Sequence, residues 1–401
     1  MGSISKTSAF VLIALILMSS IFTVVILKAY ALPKTLIVPD NYATIQAAID
    51  HANAGDTVFV KKGIYNESIT IDKPLNLIGE NPQETIIRQF YYRYLVSKVI
   101  IVAANNVSIS GFTIEGGSWG ILVNRNTTGC KIISNNIVNI LEYGITVYGY
   151  NHIISGNNIT KSQTNGLAVY SSNTTISDNN FYENYVGLST GNENGTNIIT
   201  NNKFTNNTQG LELNGSSDVY ANNITDNKKY GIDFSVNCNS TQVHDNNLLR
   251  NNIGIFLLRF QPVGYTVGVN NVVYNNNFEN IQQVFVEPVR SEETPWGQHF
   301  YYNSTDIVFW DNGSQGNYWS DYSGQGTYNI DENNVDHYPL MQQVNISIAA
   351  STPTPIPTAT ASASGIQSLT IAIIAVVVVL WVVFVSLLLY RRHRKTSNPT
   401  Q

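Results

Sequence analysis

The sequence predicts an all-β chain that folds as one parallel β-helix with about 22 residues per coil. Three sets of residues recur with this period, and each period contains short stretches in which apolar and polar residues alternate between Gly and Asn. No stretch within the repeat has the i, i+3, i+4 apolar pattern of a helix. A shared period with strand-like alternation is typical of a solenoid, whose coils bury their apolar faces by stacking.

Three columns define the period. An apolar residue follows an Asn pair at Ile114, Ile137, Ile159, Phe181, Phe204, Ile224, Leu248 and Phe278. A glycine recurs at Gly120, Gly144, Gly166, Gly187, Gly210, Gly231 and Gly254. A second apolar column comprises Ile109, Ile132, Ile154, Ile176, Ile199, Val219, Val243 and Val273. We expect the two apolar columns to form ladders inside the β-helix.

Asparagine recurs at one predicted corner of the coils. The column is Asn135, Asn157, Asn179, Asn202, Asn222, Asn246 and Asn276. An Asn amide both donates and accepts hydrogen bonds, and Asn tolerates left-handed backbone at turns. Identical amides that stack on one another can bond along the axis of the solenoid. This column therefore predicts shape and says little about chemistry.

The repeat is flanked by segments of different composition. Ile45, Ala48, Ile49 and Ala52 have helical spacing, which predicts a short amphipathic helix over the first coil. The predicted organisation is a signal peptide 1–31, an N-terminal cap 32–56, the β-helix 57–285, a C-terminal cap or appended unit 286–342, a Pro/Thr/Ser-rich stalk 343–368, a transmembrane helix 369–390 and a basic cytoplasmic tail 391–401.

Two apolar runs predict export and membrane anchoring. The first follows Lys6 and ends in Ala29-Tyr30-Ala31, as a cleaved signal peptide does; an uncleaved N-terminal anchor is the alternative. The second, 369–390, is uncharged and at ~1.5 Å per residue is long enough to cross a ~30 Å hydrocarbon core. The basic cluster after it predicts a single-pass protein of the cell membrane with a cytoplasmic C-terminus and an extracellular β-helix.

Charge and cysteine content limit the partners. The predicted extracellular part, 32–368, has 16 Lys and Arg against 27 Asp and Glu, a net charge of -11. Nucleic-acid binding needs basic surfaces and is excluded. Cys130 and Cys238 are separated by about five coils of ~4.8 Å each, which is beyond disulfide reach, so both are predicted to be free or intermolecular.

The stretch TIQAAIDHANAGDTVFVKKGIYNESITIDKPLNLIGE, followed by ISGFTIEGG and the Asn-rich coils, resembles the NosD-like right-handed β-helix proteins of the wider pectin-lyase-like group. GNYWSDYSG and DHYPLM resemble the tail that follows such coils in archaeal surface proteins. The resemblance covers roughly residues 36–342 and implies a right-handed coil. It does not fix an activity, because the fold hosts lyases, hydrolases, epimerases and adhesins.

The resemblance brings two metals into question. In the tail, Asp331, Glu332 and Asp336 are present but the D-x-D-x-D-G pattern is absent, which argues against a calcium site. The namesake of the family is linked to copper, yet the His, Met and Cys residues outside the membrane segments share no column on neighbouring coils. We predict no metal or cofactor, and calcium at the tail stays as the alternative.

Glu212 and Asp233 are the candidate catalytic carboxylates. They follow Gly210 and Gly231 at the same outward position, so stacking places them on adjacent strands ~4.8 Å apart. Carboxylates about 5 Å apart suit a retaining glycosidase or a bound cation. The alternative is two solvated side chains that repel each other. No Lys or Arg occupies the column to serve a lyase.

Aromatic and basic residues before the regular coils are the candidate ligand-binding group: Arg88, Tyr91, Tyr92, Arg93 and Tyr94, with Trp296 in a later loop. Aromatic faces stack on sugar rings and Arg binds acidic sugars; packing within an irregular coil is the alternative. A charged column pairs Lys161 with Glu183 and Asp226 with Arg250, which predicts surface ion pairs or, alternatively, a substrate groove.

The leading hypothesis is a membrane-anchored cell-surface β-helix with a carbohydrate-binding, envelope or adhesion role and no catalysis. A polysaccharide hydrolase or lyase is the alternative, and a copper-handling protein is the third hypothesis. The expected partners are a polysaccharide or envelope component and the lipid bilayer. Thirteen N-x-S/T sequons make a glycoprotein an additional expectation.

Overall fold

A computed structural model describes residues 33–90, 96–191, 195–235, 238–257, 270–287, 292–293, 299–300, 308–346 and 385. The chain divides into the units Met1–Ile356 and Pro357–Gln401, and all the described residues except Val385 belong to the first. The predicted signal peptide, most of the stalk, the predicted membrane helix apart from Val385 and the basic tail lie outside the described residues. In the part of the chain that the structure describes, no helix combines the length and apolarity that crossing a bilayer requires.

The architecture is the predicted right-handed parallel β-helix. Three parallel sheets are present, here named A, B and C, and successive coils add strands to them in that order. Sheet A has 12 strands. They are Thr35–Val38, Thr57–Val60, Asn76–Gly79, Ser108–Ser110, Lys131–Ile133, Ile153–Ser155, Thr175–Ser177, Asn197–Thr200, Ser217–Tyr220, Gln242–His244, Asn271–Tyr274 and Val308–Phe309.

Sheet B has 11 strands, most of them three residues long. They are Gly63–Tyr65, Thr85–Gln89, Thr113–Gly116, Asn136–Val138, Asn158–Thr160, Asn180–Tyr182, Lys203–Thr205, Asn223–Thr225, Asn247–Leu249, Asn277–Glu279 and Tyr318–Trp319. The last strands of sheets A and B come from the segment 286–342, which was predicted to be a cap. That segment therefore extends the parallel pairing by one strand in each of these two sheets.

Sheet C has 10 strands and contains the longest ones. They are Ile69–Ile71, Lys98–Val102, Trp119–Val123, Tyr143–Tyr150, Asn165–Ser172, Val186–Thr190, Gln209–Leu213, Tyr230–Phe234, Ile253–Leu257 and Gln282–Val286. Two short antiparallel pairs follow the coils: Glu292–Glu293 with His299–Phe300, and Tyr328–Asn329 with Val335–Asp336.

One helix, Ile45–His51, lies at the N-terminal end of the coils, at the place where apolar spacing predicts it. Thr44 caps its N-terminus by accepting a hydrogen bond from the Ala47 amide at 3.1 Å. Ile45, Ala48 and Ile49 are fully buried, and the helix packs against the first two strands of sheet A and the first strand of sheet C. Its amphipathic pattern is thus satisfied by contact with the end of the solenoid.

The two predicted apolar ladders lie in the interior, beside a third buried column from sheet C that includes Ile121 and Ile145. Ile132 pairs in register with Ile109 and Ile154 in sheet A, and Ile137 pairs with Ile114 and Ile159 in sheet B. Each side chain is at most 1% exposed, and burial of one such chain contributes roughly 1.5–3 kcal/mol.

Aromatic residues continue the sheet B ladder toward the C-terminal end of the coils. The rings of Phe181 and Phe204 stack with centroids 4.7 Å apart, and those of Phe278 and Trp319 at 4.3 Å. The interior thus continues into the tail.

The glycine column marks the close approach of successive coils at the start of sheet C. A Cβ on Gly144 would collide with the carbonyl oxygen of Gly166, and one on Gly166 would press against the Gly187 carbonyl oxygen and the Asn184 side chain. Any larger residue would force the coils apart, so the column is a packing requirement.

The predicted asparagine ladder is present at the corner between sheets A and B. The Asn179 side chain donates to the carbonyl oxygens of Ile154 (2.8 Å) and Ser177 (2.9 Å) and to Asn202 Oδ1 (3.0 Å). The backbone amide of each ladder residue also donates to Oδ1 of the next, as Asn179 does to Asn202 at 2.9 Å. These amides are at most 1% exposed, so the ladder satisfies otherwise buried backbone groups.

The ladder continues past the predicted column to Asn317, whose Oδ1 accepts from Asn276. The Asn317 backbone amide then donates to Asp336 Oδ2 at 2.7 Å. Trp319 donates to the same carboxylate oxygen at 2.8 Å. A buried carboxylate therefore ends the chain of amides, and burial raises the pKa of Asp336 above its ordinary value.

A second asparagine ladder, which the sequence analysis missed, follows the corner between sheets B and C. It consists of Asn184, Asn207, Asn227, Asn251 and Asn280. Each side chain donates both to the next amide and to a backbone carbonyl, as Asn207 does to Asn227 Oδ1 (3.2 Å) and to the Phe181 oxygen (3.0 Å). Two of the three corners of a coil are therefore held by stacked amides.

Both cysteines are free and buried, as predicted for their separation. Cys130 Sγ lies 3.3 Å from the Ala104 carbonyl oxygen, and Cys238 Sγ lies 3.3 Å from Thr241 Oγ1. Burial raises the pKa of Cys238 to about 12. A thiol that stays protonated behaves as a small apolar side chain and is a poor nucleophile.

Candidate functional site

The outer face of sheet C differs from the rest of the surface because its columns change from coil to coil. The first outward column is Lys98, Trp119, Tyr143, Asn165, Val186, Gln209, Tyr230, Ile253 and Gln282. The second is Ile101, Leu122, Thr146, Ala168, Ser189, Glu212, Asp233, Phe256 and Phe285. Aromatic, basic and acidic groups thus occur toward the two ends of this face, whereas Thr146, Ala168 and Ser189 between them are buried.

A cleft of about 490 Å³ lies on this face in the N-terminal half of the coils, and Lys98, Trp119, Arg125 and Tyr148 line it. Lys98 Nζ is 5.4 Å from the centroid of the Trp119 ring, and Arg125 Cζ is 4.7 Å from the centroid of the Tyr148 ring. Each cation therefore lies over an aromatic face at the distance of a cation–π interaction. This cleft is named the aromatic–basic cleft below.

Neighbouring coils hold the rings of the aromatic–basic cleft in place. Trp119 Nε1 donates to Glu142 Oε2 at 3.0 Å, and the Tyr143 ring meets the Trp119 ring edge-on at 5.2 Å. The Tyr148 ring stacks on Tyr170 with centroids 5.2 Å apart. Indole and phenol rings held in this way lose little further freedom when a ligand binds.

The two cations of the cleft make no ion pair with a described residue. No Asp or Glu of the described residues forms a salt bridge with Lys98 or Arg125. The nearby Glu142 carboxylate instead accepts a hydrogen bond from Trp119.

The local sequence explains how Tyr148 reaches the cleft. The strand Tyr143–Tyr150 is eight residues long and extends beyond its predecessor, Trp119–Val123. Gly149 has φ 93 and lies against the carbonyl oxygen of Thr127, where a Cβ would collide. A glycine is needed at this point for the extended strand to approach the Thr127 turn.

The acidic pair lies on the same face, farther along the coils. Glu212 and Asp233 are register neighbours, as predicted, and both are half-buried. Burial, and then the Glu212 charge, raise the pKa of Asp233 to about 7, while Lys229 acts in the opposite direction. Near neutral pH the pair thus holds a carboxyl that can donate a proton beside another carboxylate.

An aromatic and a basic residue flank this acidic pair as well. Lys229 Nζ lies 4.5 Å from the centroid of the Tyr230 ring, and Tyr230 stacks on Phe256 at 4.3 Å. Asp233 pairs directly with Phe256 in the sheet. The carboxyl is therefore enclosed on the C-terminal side by apolar surface, which is consistent with its raised pKa.

The comparisons with known proteins agree with this architecture. The family model described as periplasmic copper-binding protein (NosD) matches residues 49–220 and 165–324, which together exceed half of the chain. The chain belongs to the NosD family. A cell surface glycoprotein of Methanothermus fervidus is 36% identical to this NosD-family chain over 118 residues, 29% of this chain and 19% of that protein. The match thus spans about a fifth of the relative's length.

Two solved structures show the same fold. Pectate lyase Pel9A has a TM-score of 0.54 at 13% identity, over 69% of this chain and 83% of that one. The A-module of the mannuronan C-5 epimerase AlgE4 from Azotobacter vinelandii has a TM-score of 0.50 at 17% identity, over 68% and 83%. Identities this low establish a shared fold and carry no activity over to the NosD-family chain.

The described residues do not fit the copper of the family description. Nowhere in the described ranges do three His, Cys, Asp or Glu side chains come together where a metal ion could bind. His152 is buried with Nδ1 accepting from the Cys130 amide (3.1 Å) and Nε2 beside the Tyr148 carbonyl oxygen (2.9 Å). His244 lies between Asp245 (2.6 Å) and Asp218 (3.1 Å). Hydrogen bonds within the fold therefore occupy both imidazoles, which are the side chains that copper would need.

The acidic tail residues serve the local fold. Asp331 Oδ1 accepts from the backbone amides of Asn333 (2.8 Å) and Asn334 (2.9 Å). Asp336 accepts from Asn317 and Trp319, as described above, and from the Tyr338 amide at 2.9 Å. The calcium loop that the sequence left as an alternative would need these same oxygens.

The predicted ligand-binding residues are only partly described. Arg88 lies in sheet B and donates to Glu115 Oε2 from Nε (3.1 Å) and Nη2 (2.9 Å). Tyr91, Tyr92, Arg93, Tyr94 and Trp296 lie outside the described residues. The charged column forms the predicted ion pairs, Lys161 with Glu183 at 3.9 Å and Arg250 with Asp226 at 2.8 Å.

Sequence reasoning missed the aromatic–basic cleft. Trp119, Tyr143 and Tyr230 each immediately precede a glycine of the repeating column, so the sequence holds a signal for an outward aromatic position. Arg125 and Tyr148 belong to none of the repeating columns that the sequence analysis used. They reach the cleft because Arg125 follows the end of the strand Trp119–Val123 and Tyr148 lies in the longer strand Tyr143–Tyr150.

Proposed function

We propose that this NosD-family protein is an exported cell-surface β-helix that binds carbohydrate on the outer face of sheet C without catalysing a reaction on it. Export is supported by the signal-like N-terminus and by the relative, a cell surface glycoprotein. A single transmembrane helix at 369–390 would anchor it, with the basic tail in the cytoplasm and the Pro/Thr/Ser stalk as spacer. An envelope polysaccharide is the proposed partner.

The aromatic–basic cleft is the observation that carries this proposal. The apolar C–H face of a pyranose ring stacks on an indole or phenol, and Trp119 and Tyr148 supply such surfaces. Lys98 and Arg125 supply donors for hydroxyl or acidic substituents.

Retention on a panel of immobilised polysaccharides tests the proposal, with the full chain in detergent. We expect binding to at least one polymer and a loss of about two- to tenfold for Trp119→Ala, since stacking on one ring is worth roughly 0.5–1.5 kcal/mol. Tyr338→Ala is the matched control, because Tyr338 is 47% exposed in the tail, outside sheet C and the charged column. No retention on any polymer, or equal losses for the two variants, would refute the proposal.

The second candidate function is polysaccharide hydrolysis, and the raised pKa of Asp233 beside Glu212 favours it. In such a reaction Asp233 would protonate the leaving oxygen and Glu212 would act as nucleophile or base. The same polymers, assayed for new reducing ends, distinguish the two functions. Release that Glu212→Gln and Asp233→Asn abolish would establish an enzyme, whereas retention without release leaves the binding function standing.

A further inference from the structure

Two asparagines at the corner between sheets C and A occupy equivalent positions. Asn106 and Asn173 each lie two residues before a sheet A residue, Ser108 and Thr175 respectively. These two residues belong to one register column, in which Ser108 pairs with Lys131, Lys131 with Ile153 and Ile153 with Thr175. The two asparagines therefore lie three coils apart on one edge of the solenoid.

Both asparagines present an accessible side chain. Their φ angles are 54 and 53, the left-handed conformation that Asn tolerates at a turn, and both residues are exposed. Among the hydrogen bonds between described residues, none uses the side-chain amide of Asn106 or Asn173. This contrasts with the ladder asparagines, whose amides are fully occupied.

Both are also acceptors by sequence, in Asn106-Val107-Ser108 and Asn173-Thr174-Thr175. The hydroxyl residue of each sequon begins a sheet A strand and is half-buried. We therefore infer that Asn106 and Asn173 carry N-linked oligosaccharides that project from the edge between sheets C and A. This inference rests on the export that we propose above and is independent of saccharide binding.

The sugar donor for this reaction is an oligosaccharide that is linked through a phosphate to a lipid. The amide nitrogen of the asparagine forms a bond to C1 of the first sugar as the bond from C1 to the phosphate oxygen breaks. The amide loses one proton to a base of the transferase, and the lipid phosphate leaves. The acceptor nitrogen must be accessible for this reaction, and both asparagines are exposed and make no side-chain hydrogen bond to a described residue.

Two other sequons lie in less accessible positions. Asn158 and Asn223 lie in strands of sheet B and are half-buried. Asn158 Oδ1 accepts from Asn180 Nδ2 at 2.7 Å, and the hydroxyl residue of the Asn223 sequon, Thr225, is only 4% exposed. Both are expected to stay unmodified. We do not extend the assignment to the exposed Asn126, which borders the aromatic–basic cleft.

The chain contains a matched position that lacks only the hydroxyl. Asn151 is exposed, has φ 58 and lies two residues before Ile153, in the same register column as Ser108 and Thr175. Ile153 is 37% exposed, so threonine fits there without a buried cavity. Ile153→Thr completes an Asn-x-Thr sequon at Asn151 and leaves the acceptor asparagine unchanged.

Glycopeptide mass spectrometry of the full chain, from a host that N-glycosylates its exported proteins, tests the inference. We expect glycans at Asn106 and Asn173, a new glycan at Asn151 in Ile153→Thr, and none at Asn158 or Asn223. Empty Asn106 and Asn173, when an exported control protein is modified, would overturn the inference, as would occupancy of the sheet B sequons. Polysaccharide retention of the same preparation is read separately, so failure of either proposal is distinguishable.

Discussion

The corner between sheets A and B and the outer face of sheet C are built on the same coils but repeat to very different degrees. At the corner, asparagine recurs in eight ladder positions from Asn135 to Asn317, and all but the last donate to the next asparagine of the ladder. On sheet C one outward column changes from Thr146 to Ser189, Glu212, Asp233 and Phe256. At the corner every coil uses the same residue because its bonds are needed in each coil. The sheet C column has no such shared bond, and it changes both its residues and their burial, from buried Thr146 and Ser189 to half-buried Glu212 and Asp233.

The largest expected effect comes from breaking the ladder. Asn179→Ala removes a buried amide that makes five hydrogen bonds, and Asn180→Ala removes a half-buried amide that makes one described bond. Because buried partners lose their bonds, we expect Asn179→Ala to lower the free energy of unfolding by about 3–5 kcal/mol and Asn180→Ala by less than about 1 kcal/mol. Chemical denaturation measures both, and equal losses would remove the distinction between ladder and surface.

The second largest effect is expected at Asp233 on sheet C, where a substitution should raise the free energy of unfolding instead of lowering it. The folded-state pKa of Asp233 is about 7, above its ordinary 3.8, so ionisation of Asp233 opposes folding as the pH rises from about 4 to 7. Asp233→Asn should therefore raise the unfolding free energy by about 2–4 kcal/mol at pH 8 and leave it nearly unchanged at pH 4.

Thermal unfolding at the two pH values tests this sign. Asp72→Asn is the matched control, because the Asp72 side chain is 66% exposed. A destabilised Asp233→Asn at pH 8 would show that the carboxylate serves the fold, and the contrast between the two regions would weaken.

The smallest effect is expected at the charged column on the outside of the B–C corner. Arg250 binds Asp226 through two nitrogens at 2.8 Å, but the Arg250 side chain is 61% exposed. We expect Arg250→Gln to change the unfolding free energy by less than about 1 kcal/mol, and less in 1 M salt. A salt-independent loss above that value would mean that this column contributes to the fold as the ladders do.

The sequence was sufficient to predict the repeating part of the molecule. Residues one period apart in the sequence become neighbours in space when the coils stack. The repeat therefore predicted the strand register correctly for the columns that contain Ile132, Ile137, Gly144 and Asn157. The second ladder, from Asn184 to Asn280, has the same kind of period and could have been found in the same way.

The candidate site was only partly predictable. The period brought Glu212 and Asp233 together, but the raised pKa depends on burial, which a column does not reveal. The aromatic–basic cleft depends on side chains such as Arg125 and Tyr148 that leave the columns. The sequence period predicts the residues that repeat from coil to coil. It gives no information about surface residues that differ between coils, such as those of the cleft.

The asparagine ladder also gives the solenoid a direction. Each coil offers an amide oxygen to the coil before it and an amide donor to the coil after it; the Phe112 amide starts the series and the Asp336 carboxylate ends it. All coils in between are interchangeable at this corner. A coil can therefore be duplicated or deleted without changing either end of the ladder, so the number of coils, and with it the length of sheet C, can change while both ends keep their bonds.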